Sequence, residues 1–540
     1  MSSRSSGHDV VVVGSGGAGL VAACAAADVG ARVLVLEAAD RFGGTTALSG
    51  GQMWIPGSEQ MRRAGYEDSR GDALRYLERV TLGATPQETL EAFLDQGPRL
   101  ANYLENDLGI ALQAVARHDY HPDWAGARFG RSLEPAPVPT TGLGTLRDRV
   151  LKSDSRGPLT AAESRTGLDE ATLRARRDAD VRTQGSGLVA GLVAACLRRG
   201  VELRPGHRAV ALTTRNGAAA PTVTTVNVTD HRDVLTAGVA VVLACGGFAH
   251  NAELRRDFLP PLDILPLSVP TCVGDAITLG ISARGALRGT AEAWWTPATA
   301  LPAPRNIVRE LALPGSVLIN SAGRRFVDEA CSYNDLGKAF LQFDPKSHTF
   351  PNASAWLVFD ARFAATYPVA GHLPSDPAPN WFVTADSVTT LANRLGVDGT
   401  ALHDAVEAMN DYADRGVDPE FGRGSNAHDA FNGDQNHQPN PCLGRIDTPP
   451  FYAVPVTIGM NGTKGGLVTD VNGAVLDSHG NPIDGLFAYG ESAAALMGPG
   501  YAGNGAALGP SLSAALTIGG VIKRARTDVA RLPSILSTAK

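Results

Sequence analysis

The chain has 540 residues, more than one hydrophobic core usually accommodates, so two or more domains are expected. A net charge of −7 and the absence of any basic tract argue against a nucleic-acid partner. Six scattered cysteines with no Cys-x-x-Cys pair predict neither a disulfide framework nor a zinc site, and no metal site is expected. No apolar run reaches the ~18 residues that span a bilayer. The polar N-terminus leaves no room for a signal peptide, so a cytoplasmic protein is expected.

The stretch after the N-terminus has the pattern of a dinucleotide-binding unit. Val10–Val13 is apolar and β-branched, as in a buried parallel strand. Gly14–Gly19 reads Gly-Ser-Gly-Gly-Ala-Gly and opens an alanine-rich helix over residues 20–29. A second apolar strand over 32–36 ends on Glu37. The six-residue pattern alone is weak in a chain with 61 glycines, but the complete strand, turn, helix, strand and acid predict dinucleotide binding.

Each part of this unit has a physical role. Gly14 permits the tight turn, Gly16 lets a pyrophosphate approach the backbone, and Gly19 lets helix and strand pack closely. The phosphates bind at the helix N-terminus because its unpaired N–H groups and its dipole favour negative charge. Glu37 can accept both hydroxyls of an adenosine ribose, and its charge would repel a 2′-phosphate.

The loop over residues 41–56 is the first indication of a flavin. It has too many glycines and hydroxyls for a helix or a strand, and taken alone it could be a plain surface loop. Because it directly follows the ribose-binding acid, its N–H and hydroxyl groups could follow the phosphates toward the far end of a long cofactor. NAD is too short to need this second cradle, whereas FAD needs it.

The middle of the chain completes the first domain. Amphipathic helices are expected over residues 70–109, and the polar, arginine-rich segment 155–185 is expected to be a solvated excursion or lid. Two short strands flank Pro205-Gly206. The apolar strand 239–243 leads into Gly246-Gly247, where backbone could approach a ligand at the carboxyl edge of a parallel sheet.

The composition changes near residue 290, where a second domain begins. It contains Trp294-Trp295, predicted to be core rather than substrate wall, and ends in a loop over 416–450 that is expected to have no regular structure. A strand over 486–489 then ends in Gly490-Glu491. The glycine-rich loop that follows enters a helix predicted over residues 511–524, a second anion site suited to the pyrimidine side of a reduced flavin.

These motifs together resemble the FAD-dependent 3-ketosteroid dehydrogenases, within the fumarate reductase/succinate dehydrogenase flavoprotein superfamily. The resemblance covers both ends and the middle of the chain. The motifs that carry it are GSGGAG with Glu37, GGTTALSGGQMWIP at 43–56, LACGGF at 243–248, FGRG at 421–424, PNPCLG at 439–444, PPFYAV at 449–454, GTKGG at 462–466, GLFAYGE at 485–491 and the segment Tyr501 to Pro510.

The resemblance implies an α/β fold. A Rossmann-like FAD-binding domain with a parallel sheet, discontinuous in sequence, would carry an inserted α+β catalytic or capping domain. The expected division is residues 1–288 for the first part of the FAD-binding domain, 289–452 for the catalytic domain and 453–540 for the returning segment.

The resemblance also implies FAD as the cofactor. Glu491 is expected to contact the flavin ribityl chain, although it could instead only cap the strand end. The expected cofactor-binding residues are Gly14, Ser15, Gly16, Gly17, Ala18, Gly19, Glu37, Ala38, Gly44, Thr45, Thr46, Ser49, Gly50, Gly51, Ala209, Gly246, Gly490, Glu491, Ala507 and Leu508.

The chemistry of the site distinguishes two branches of this superfamily. Fumarate reductases need cationic side chains to hold a dicarboxylate. Their histidine position before the Gly-Gly turn is Gly462 here, and the arginine expected in the C-terminal glycine-rich loop is absent. A neutral, apolar ketone, steroid-like in character, is therefore the expected substrate.

By the resemblance, four residues carry out the reaction. The hydroxyl of Tyr501 and the N–H of Gly505 would hold the ketone oxygen as an oxyanion hole does. Tyr333 would remove the α-proton, and Tyr120 would lower the proton affinity of Tyr333 by hydrogen bonding. The alternative for each tyrosine is a place in the core with its hydroxyl satisfied.

Two departures from the family's pattern leave the substrate open. The family's usual Tyr-Pro-Gly-Pro-Gly is Tyr501-Ala502-Gly503-Asn504-Gly505 here, and loss of two prolines is expected to loosen the loop. Asp328-Glu329 replaces the more usual Asn-Glu. The expected reaction is 1,2-desaturation of a 3-ketosteroid, with an external quinone-like acceptor or oxygen. The alternatives are Δ4-desaturation of a 5α-3-ketosteroid, a non-steroid cyclic ketone, a reductase of activated alkenes, or flavin binding without turnover.

Overall fold

A computed structural model describes residues 7–153, 157–213, 222–227 and 232–537. The strands of this part of the chain, numbered β1 to β21 in order, are Val10–Val13, Val33–Leu36, Met53–Trp54, Leu112–Ala114, Ser132–Pro135, Glu202–Arg204, His207–Thr213, Thr222–Asn227, Arg232–Thr236, Ala240–Leu243, Leu265–Pro266, Leu287–Arg288, Ala293–Thr299, Arg305–Asn306, Ser316–Asn320, Ser354–Asp360, Val383–Ala385, Phe451–Thr463, Gly466–Leu467, Ala474–Leu476 and Pro482–Ala488.

The α-helices of the same residues are numbered α1 to α18. They are Gly17–Asp28, Gly44–Leu48, Glu59–Arg63, Arg70–Thr81, Gln87–Asn102, Glu163–Thr166, Glu170–Asp178, Gln184–Arg198, Ala252–Phe258, Asp275–Ser282, Arg309–Ala312, Tyr333–Ala339, Ala361–Thr366, Val388–Leu395, Gly399–Arg415, Ala427–Asn432, Leu508–Leu516 and Ile518–Ser537. A π-helical turn spans Tyr103–Asp107, and 3-10 turns span Thr140–Arg149 and Gly490–Ser492. Within the described residues, no helix combines the length and apolar character needed to cross a bilayer.

The first sheet has six strands in the order β20-β21-β10-β1-β2-β6, parallel except for the β20–β21 pair. Val10 and Val12 pack into the core that contains α1 and α8, whereas Val11 and Val13 pack into a second core on the opposite face. Burial on both faces explains why these strands are continuous apolar runs. Because β20 and β21 come from the end of the chain, the predicted α/β fold with a sequence-discontinuous sheet is confirmed.

The second sheet is built around the long strand β18. The strands β14-β13-β18-β16-β15 lie in that order, and β11 and β17 also pair with β18. The pairs of β18 with β13 and β16 are antiparallel, as expected of an inserted α+β domain. Because β18 runs from Phe451 to Thr463, it crosses the expected boundary at residue 452. The division into domains at 288 and 452 stays a prediction.

Three segments contain more regular structure than their sequences predict. Residues 41–56, expected to be a loop, contain the short helix α2 and the strand β3. Residues 416–450 contain α16, whose N-terminus is capped by the Asn426 side chain. The polar segment 155–185 contains α6 and α7; Ser155 and Arg156 lie outside the described residues. Local propensity disfavours α2, which contacts with the rest of the fold stabilise, whereas α7 consists mainly of the strong helix formers Glu, Ala, Leu and Arg.

Candidate active site

The turn after β1 forms the first cradle at the carboxyl edge of the parallel sheet. Gly14 has φ of 105°, and a Cβ there would lie 2.2 Å from the carbonyl oxygen of Ala244. A Cβ on Gly16, by contrast, would meet only the hydroxyl of Thr46, at 3.7 Å. The turn therefore packs tightly against the neighbouring strand at Gly14. Space remains at Gly16, where α1 begins, and a pyrophosphate binds at such a helix N-terminus.

Glu37 is held in a fixed orientation at the end of β2. Its Oε2 accepts hydrogen bonds from the hydroxyl and the N–H of Ser15, at 2.5 and 3.0 Å. Its Oε1 accepts from the N–H of Ala39 at 2.9 Å. The backbone N–H of His207, at the start of β7, donates to the Glu37 carbonyl at 2.7 Å, so Ala209 on β7 lies on a strand anchored beside this acid. The structure thus brings Ser15, Glu37 and the strand of Ala209 together.

The helix α2 extends this cradle. The hydroxyl of Thr46 accepts a hydrogen bond from the N–H of Gly17 at 3.1 Å, which ties α2 to the start of α1. Ser49 accepts from the N–H of Gly51 at 3.0 Å, and Thr45 accepts from the N–H of Val269 at 3.3 Å. These contacts explain why a sequence of glycines and threonines is helical here. They also place the predicted hydroxyls next to the first cradle.

A second cradle lies where β10 and β21 end, at the same edge of the sheet. Glu491 is enclosed there, because a Cβ on Gly462 would lie 2.0 Å from its Oε1 and one on Gly247 would lie 3.2 Å from its Oε2. Burial raises the pKa of Glu491 to about 8, although the N–H groups of Gly247 and Thr463 oppose the rise. The space that a larger residue at position 462 would need is therefore filled by Glu491, which carries its proton at neutral pH.

Three tyrosines from distant parts of the sequence meet at one point. Tyr120 comes from the loop before β5, Tyr333 begins α12, and Tyr501 precedes α17. Their ring centroids lie 5.6 Å apart for Tyr120 and Tyr333, 5.3 Å for Tyr120 and Tyr501, and 5.5 Å for Tyr333 and Tyr501. All three pairs are edge-to-face, the geometry that aromatic quadrupoles favour. The structure therefore brings together the three predicted tyrosines.

Trp294 lies in this aromatic cluster, with its ring 5.1 Å from that of Tyr501, whereas Trp295 is packed in the core of the second sheet. Both side chains are buried, so the prediction that the two tryptophans are core residues is confirmed. Adjacent strand residues point to opposite faces, which places the two in different buried clusters.

The three hydroxyls influence one another's protonation. Burial raises the pKa of each tyrosine above its ordinary value. For Tyr333 the hydroxyl of Tyr501 opposes this rise, and the hydrogen bond with Tyr120 adds to it. The role of Tyr120 in lowering the proton affinity of Tyr333 stays a prediction. The positive charge of Arg117 also lowers the pKa of both Tyr120 and Tyr333.

The two groups predicted to hold a carbonyl oxygen are neighbours. The N–H groups of Gly505 and Ala507 lower the pKa of Tyr501 against the effect of its burial, so the Gly505 N–H lies beside the Tyr501 hydroxyl. Gly505 has φ of 88°, and a Cβ there would lie 2.4 Å from the carbonyl carbon of Gln52. Glycine is therefore required at this position.

Hydrogen bonds hold the loop that lacks the family's two prolines. The Ala502 carbonyl accepts from the Tyr76 hydroxyl at 2.8 Å and from the Tyr120 N–H at 3.0 Å. The Asn504 carbonyl accepts from the Ser132 hydroxyl at 2.7 Å. These bonds supply the restraint that the prolines would give, and they connect this loop directly to the Tyr120 segment.

The second departure from the family's pattern, Asp328-Glu329, is accommodated inside the second domain. Glu329 pairs with Arg325 at 2.7 Å. Asp328 accepts from the Ala330 N–H at 2.8 Å and interacts with Asp429, whose pKa is raised to about 8 by burial and by the negative charge of Asp328. Asp328 and Asp429 therefore hold a proton between them more strongly than isolated aspartates do, which favours one negative charge over two.

Lys464 joins the segments that carry Tyr333 and Tyr501, a role that its sequence position alone does not predict. Its buried Nζ donates to the Gly500 carbonyl at 2.8 Å and to Asn334 Oδ1 at 3.2 Å. Burial lowers its pKa to about 7. A further bridge, between His121 Nε2 and Asp335 Oδ2 at 3.1 Å, joins the segments of Tyr120 and Tyr333. A lysine within the glycine-rich GTKGG was the only sequence signal for this role.

Comparison with known proteins identifies the family. Residues 9–508 match the family model described as FAD binding domain. The chain belongs to this family. Its cofactor is FAD, and the glycine-rich cradles fit it, since Gly16 leaves room for a pyrophosphate beside the N-terminus of α1.

Two curated relatives match nearly the whole chain. The 4-oxocyclohexanecarboxylate 2-dehydrogenase of Sinomonas cyclohexanicum is 37% identical over 525 residues, which cover 94% of this chain and 91% of the relative. The 3-oxosteroid 1-dehydrogenase of Mycobacterium tuberculosis is 33% identical and covers 94% and 96%. The predicted membership of the 3-ketosteroid dehydrogenase group is confirmed, and this FAD-binding protein is an oxidoreductase.

Solved structures agree with this assignment. The 3-ketosteroid delta1-dehydrogenase from Sterolibacterium denitrificans, in complex with 1,4-androstadiene-3,17-dione, has a TM-score of 0.89 at 32% identity, covering 96% of this chain and 99% of that one. A flavocytochrome c3 fumarate reductase in its open conformation has a TM-score of 0.68 at 23% identity. At that identity the second similarity concerns the fold alone.

Proposed function

We propose that this protein is a FAD-dependent dehydrogenase that introduces a double bond α,β to the carbonyl of a cyclic ketone. The 1,2-bond of a 3-ketosteroid is the first candidate, supported by the 3-oxosteroid 1-dehydrogenase relative and by the solved 3-ketosteroid delta1-dehydrogenase. A non-steroid cyclic ketone is the second, supported by the relative that acts on 4-oxocyclohexanecarboxylate.

One observation carries this proposal. Tyr120, Tyr333 and Tyr501 converge with edge-to-face rings, and the N–H of Gly505 lies beside the Tyr501 hydroxyl. Phenylalanines would fill such a cluster equally well if packing were its only purpose. Hydroxyls that perturb one another's pKa at a cofactor-binding edge are typical of a catalytic site.

The carbonyl oxygen of the ketone is held by the Tyr501 hydroxyl and the Gly505 N–H. Both groups donate to the oxygen, and their effect grows as negative charge develops on it. The hydrogens on the α-carbon become more acidic as a result. The backbone at Gly505 is fixed by its packing against Gln52, so this donor is positioned before the substrate arrives.

Tyr333 removes the α-proton. Its hydroxyl must be deprotonated to act, and the Tyr501 hydroxyl and the Arg117 charge both favour that state. Tyr120 positions Tyr333 through their hydrogen-bonding contact. When bound, FAD supplies the acceptor for the hydride from the neighbouring β-carbon.

The proposed FAD contacts follow the two cradles. The pyrophosphate binds at Gly14–Gly19, the adenosine ribose at Glu37 beside Ala38, and the ribityl chain near Glu491, whose protonated carboxyl can both donate and accept. The remaining proposed contacts are Gly44, Thr45, Thr46, Ser49, Gly50, Gly51, Ala209, Gly246, Gly490, Ala507 and Leu508.

Glu37→Ala is expected to weaken FAD binding. It removes the ribose acceptor but little core volume, so the apoprotein should still fold. Loss of hydrogen bonds to a charged group corresponds to an affinity about 10- to 100-fold lower. The measurement is flavin retained after dialysis, with Glu202→Ala on the neighbouring strand β6 as the control. Full flavin retention by Glu37→Ala would contradict the ribose assignment.

Turnover with an artificial electron acceptor tests the proposed reaction. The FAD-loaded protein is given a 3-ketosteroid and 4-oxocyclohexanecarboxylate, and each product is examined by mass spectrometry and NMR. The expected product lacks two hydrogens and carries the new double bond next to the carbonyl. A Δ4 product from a 5α-steroid, or activity only as a reductase of activated alkenes, would select one of the alternatives.

The proposal also includes a quinone-like compound or oxygen as the electron acceptor, and a cytoplasmic location.

A further inference from the structure

An arginine cluster lies next to the tyrosines, and none of its side chains is assigned a contact with the ketone in the reaction proposed above. The guanidinium carbons of Arg117 and Arg165 lie 5.2 and 3.7 Å from the ring centroid of Phe431 on α16. Arg309 begins α11, which packs against α16. Positive charge from Arg309 lowers the pKa of both Arg117 and Arg165, after the larger effect of burial.

No carboxylate neutralises Arg117 among the described residues. Its Nη2 donates to the neutral Asn432 Oδ1 at 3.0 Å, and its Nε is buried without a hydrogen-bond partner in the described part of the chain. Arg131 in the same segment shows the usual arrangement, since it pairs with Asp68 at 2.6 Å and Asp119 at 2.7 Å. Buried charges are normally paired, so Arg117 is suited to an anion supplied from outside the chain.

Contacts along α16 connect this cluster to the tyrosines. His428, Phe431 and Asn432 are separated by three and four residues and so share one face of the helix. The His428 ring lies 4.9 Å from the Tyr120 ring, and its Nε2 lies 3.0 Å from Asn432 Nδ2. Arg117 is bound to Asn432 at the end of this face. The Arg117 charge also acts on Tyr120 and Tyr333, so a molecule held at the tyrosines is within reach of this arginine.

We propose that Arg117, assisted by Arg165 and Arg309, binds a carboxylate on the substrate, and that the substrate is a cyclic ketone with a carboxylate remote from its carbonyl. The planar guanidinium of Arg117 matches a carboxylate through paired N–H donors. The ketone ring occupies the aromatic cluster, with its carbonyl at Tyr501. This inference rests on the proposed function, which supplies the ring and the carbonyl.

The test compares 4-oxocyclohexanecarboxylate with its methyl ester, which keeps the ring and the ketone but not the charge. The wild-type FAD-loaded protein should reduce its flavin with the acid about 10- to 100-fold more efficiently, as kcat/KM, than with the ester. Arg117→Met should remove this preference by slowing the acid more than the ester, because the ester should slow only as far as the Arg117 charge assists Tyr333. Arg117→Lys should retain part of this preference for the acid, since a single ammonium charge replaces the planar guanidinium with its paired N–H donors. Arg128→Met is the matched control, because Arg128 pairs with Asp72 at 2.7 Å in the same segment.

Equal use of acid and ester by the wild type would overturn the carboxylate site while leaving the dehydrogenase proposal intact. So would an Arg117→Met variant that slows both compounds equally, because Arg117 would then act only through Tyr333. Binding of the non-reacting cyclohexanecarboxylate, followed by the flavin spectrum of the oxidised protein, separates the two proposals. If it binds through Arg117 and no ketone reduces the flavin, the carboxylate site stands and the proposed reaction is wrong.

Discussion

Tyr333→Phe should almost abolish flavin reduction by a cyclic ketone. A phenyl ring cannot accept a proton, and loss of a general base costs about 10²- to 10⁴-fold in rate. Ketone binding should persist, because the Tyr501 hydroxyl and the Gly505 N–H are unchanged. The measurement is stopped-flow reduction of the bound flavin, together with a binding titration.

The pH profile makes this prediction more specific. Burial raises the pKa of Tyr333, so the wild-type rate should increase as pH rises toward the alkaline range, where the base loses its proton. The residual rate of Tyr333→Phe should lack this dependence. Tyr412→Phe, on α15, is the matched control and should behave as the wild type. A near-normal rate in Tyr333→Phe would show that the base is another group.

Tyr501→Phe should slow the reaction by about 10²- to 10³-fold, the usual effect of removing one oxyanion donor. Some activity should remain, because the Gly505 N–H still binds the carbonyl oxygen. Exchange of the α-hydrogen with solvent and reduction of the flavin should slow together, since both depend on stabilising the enolate.

A second effect distinguishes Tyr501 from a residue that only packs. Its hydroxyl lowers the pKa of Tyr333, so the pH profile of Tyr501→Phe should move to higher pH. The variant should retain its yellow colour, because Tyr501 is not proposed to hold FAD. Unchanged exchange and reduction rates would contradict the carbonyl clamp.

The parts of this fold that sequence predicts well are those whose pattern is local. The unit β1–α1–β2 was predicted because alternation of strand, glycine turn and helix is visible within residues 10–37. The helix α2 was missed because glycine and threonine are poor helix formers, and only distant contacts such as Gly17 to Thr46 stabilise it.

The candidate site shows the same limit. Family motifs indicated Tyr120, Tyr333 and Tyr501, which the structure brings together. They gave no indication that Trp294 faces the tyrosines or that Lys464 joins two of their segments. The position of the Arg117 side chain was equally hard to predict, because Asn432, to which it donates among the described residues, is 315 residues away in sequence.

Anaerobic titration of the FAD-loaded protein with a cyclic ketone tests the central claim most directly. The account predicts that the yellow absorbance disappears in proportion to the ketone added, and that the recovered product is the α,β-unsaturated ketone. If the flavin stays oxidised with every cyclic ketone tested, while dithionite still reduces it, the claim that this protein desaturates ring ketones is contradicted.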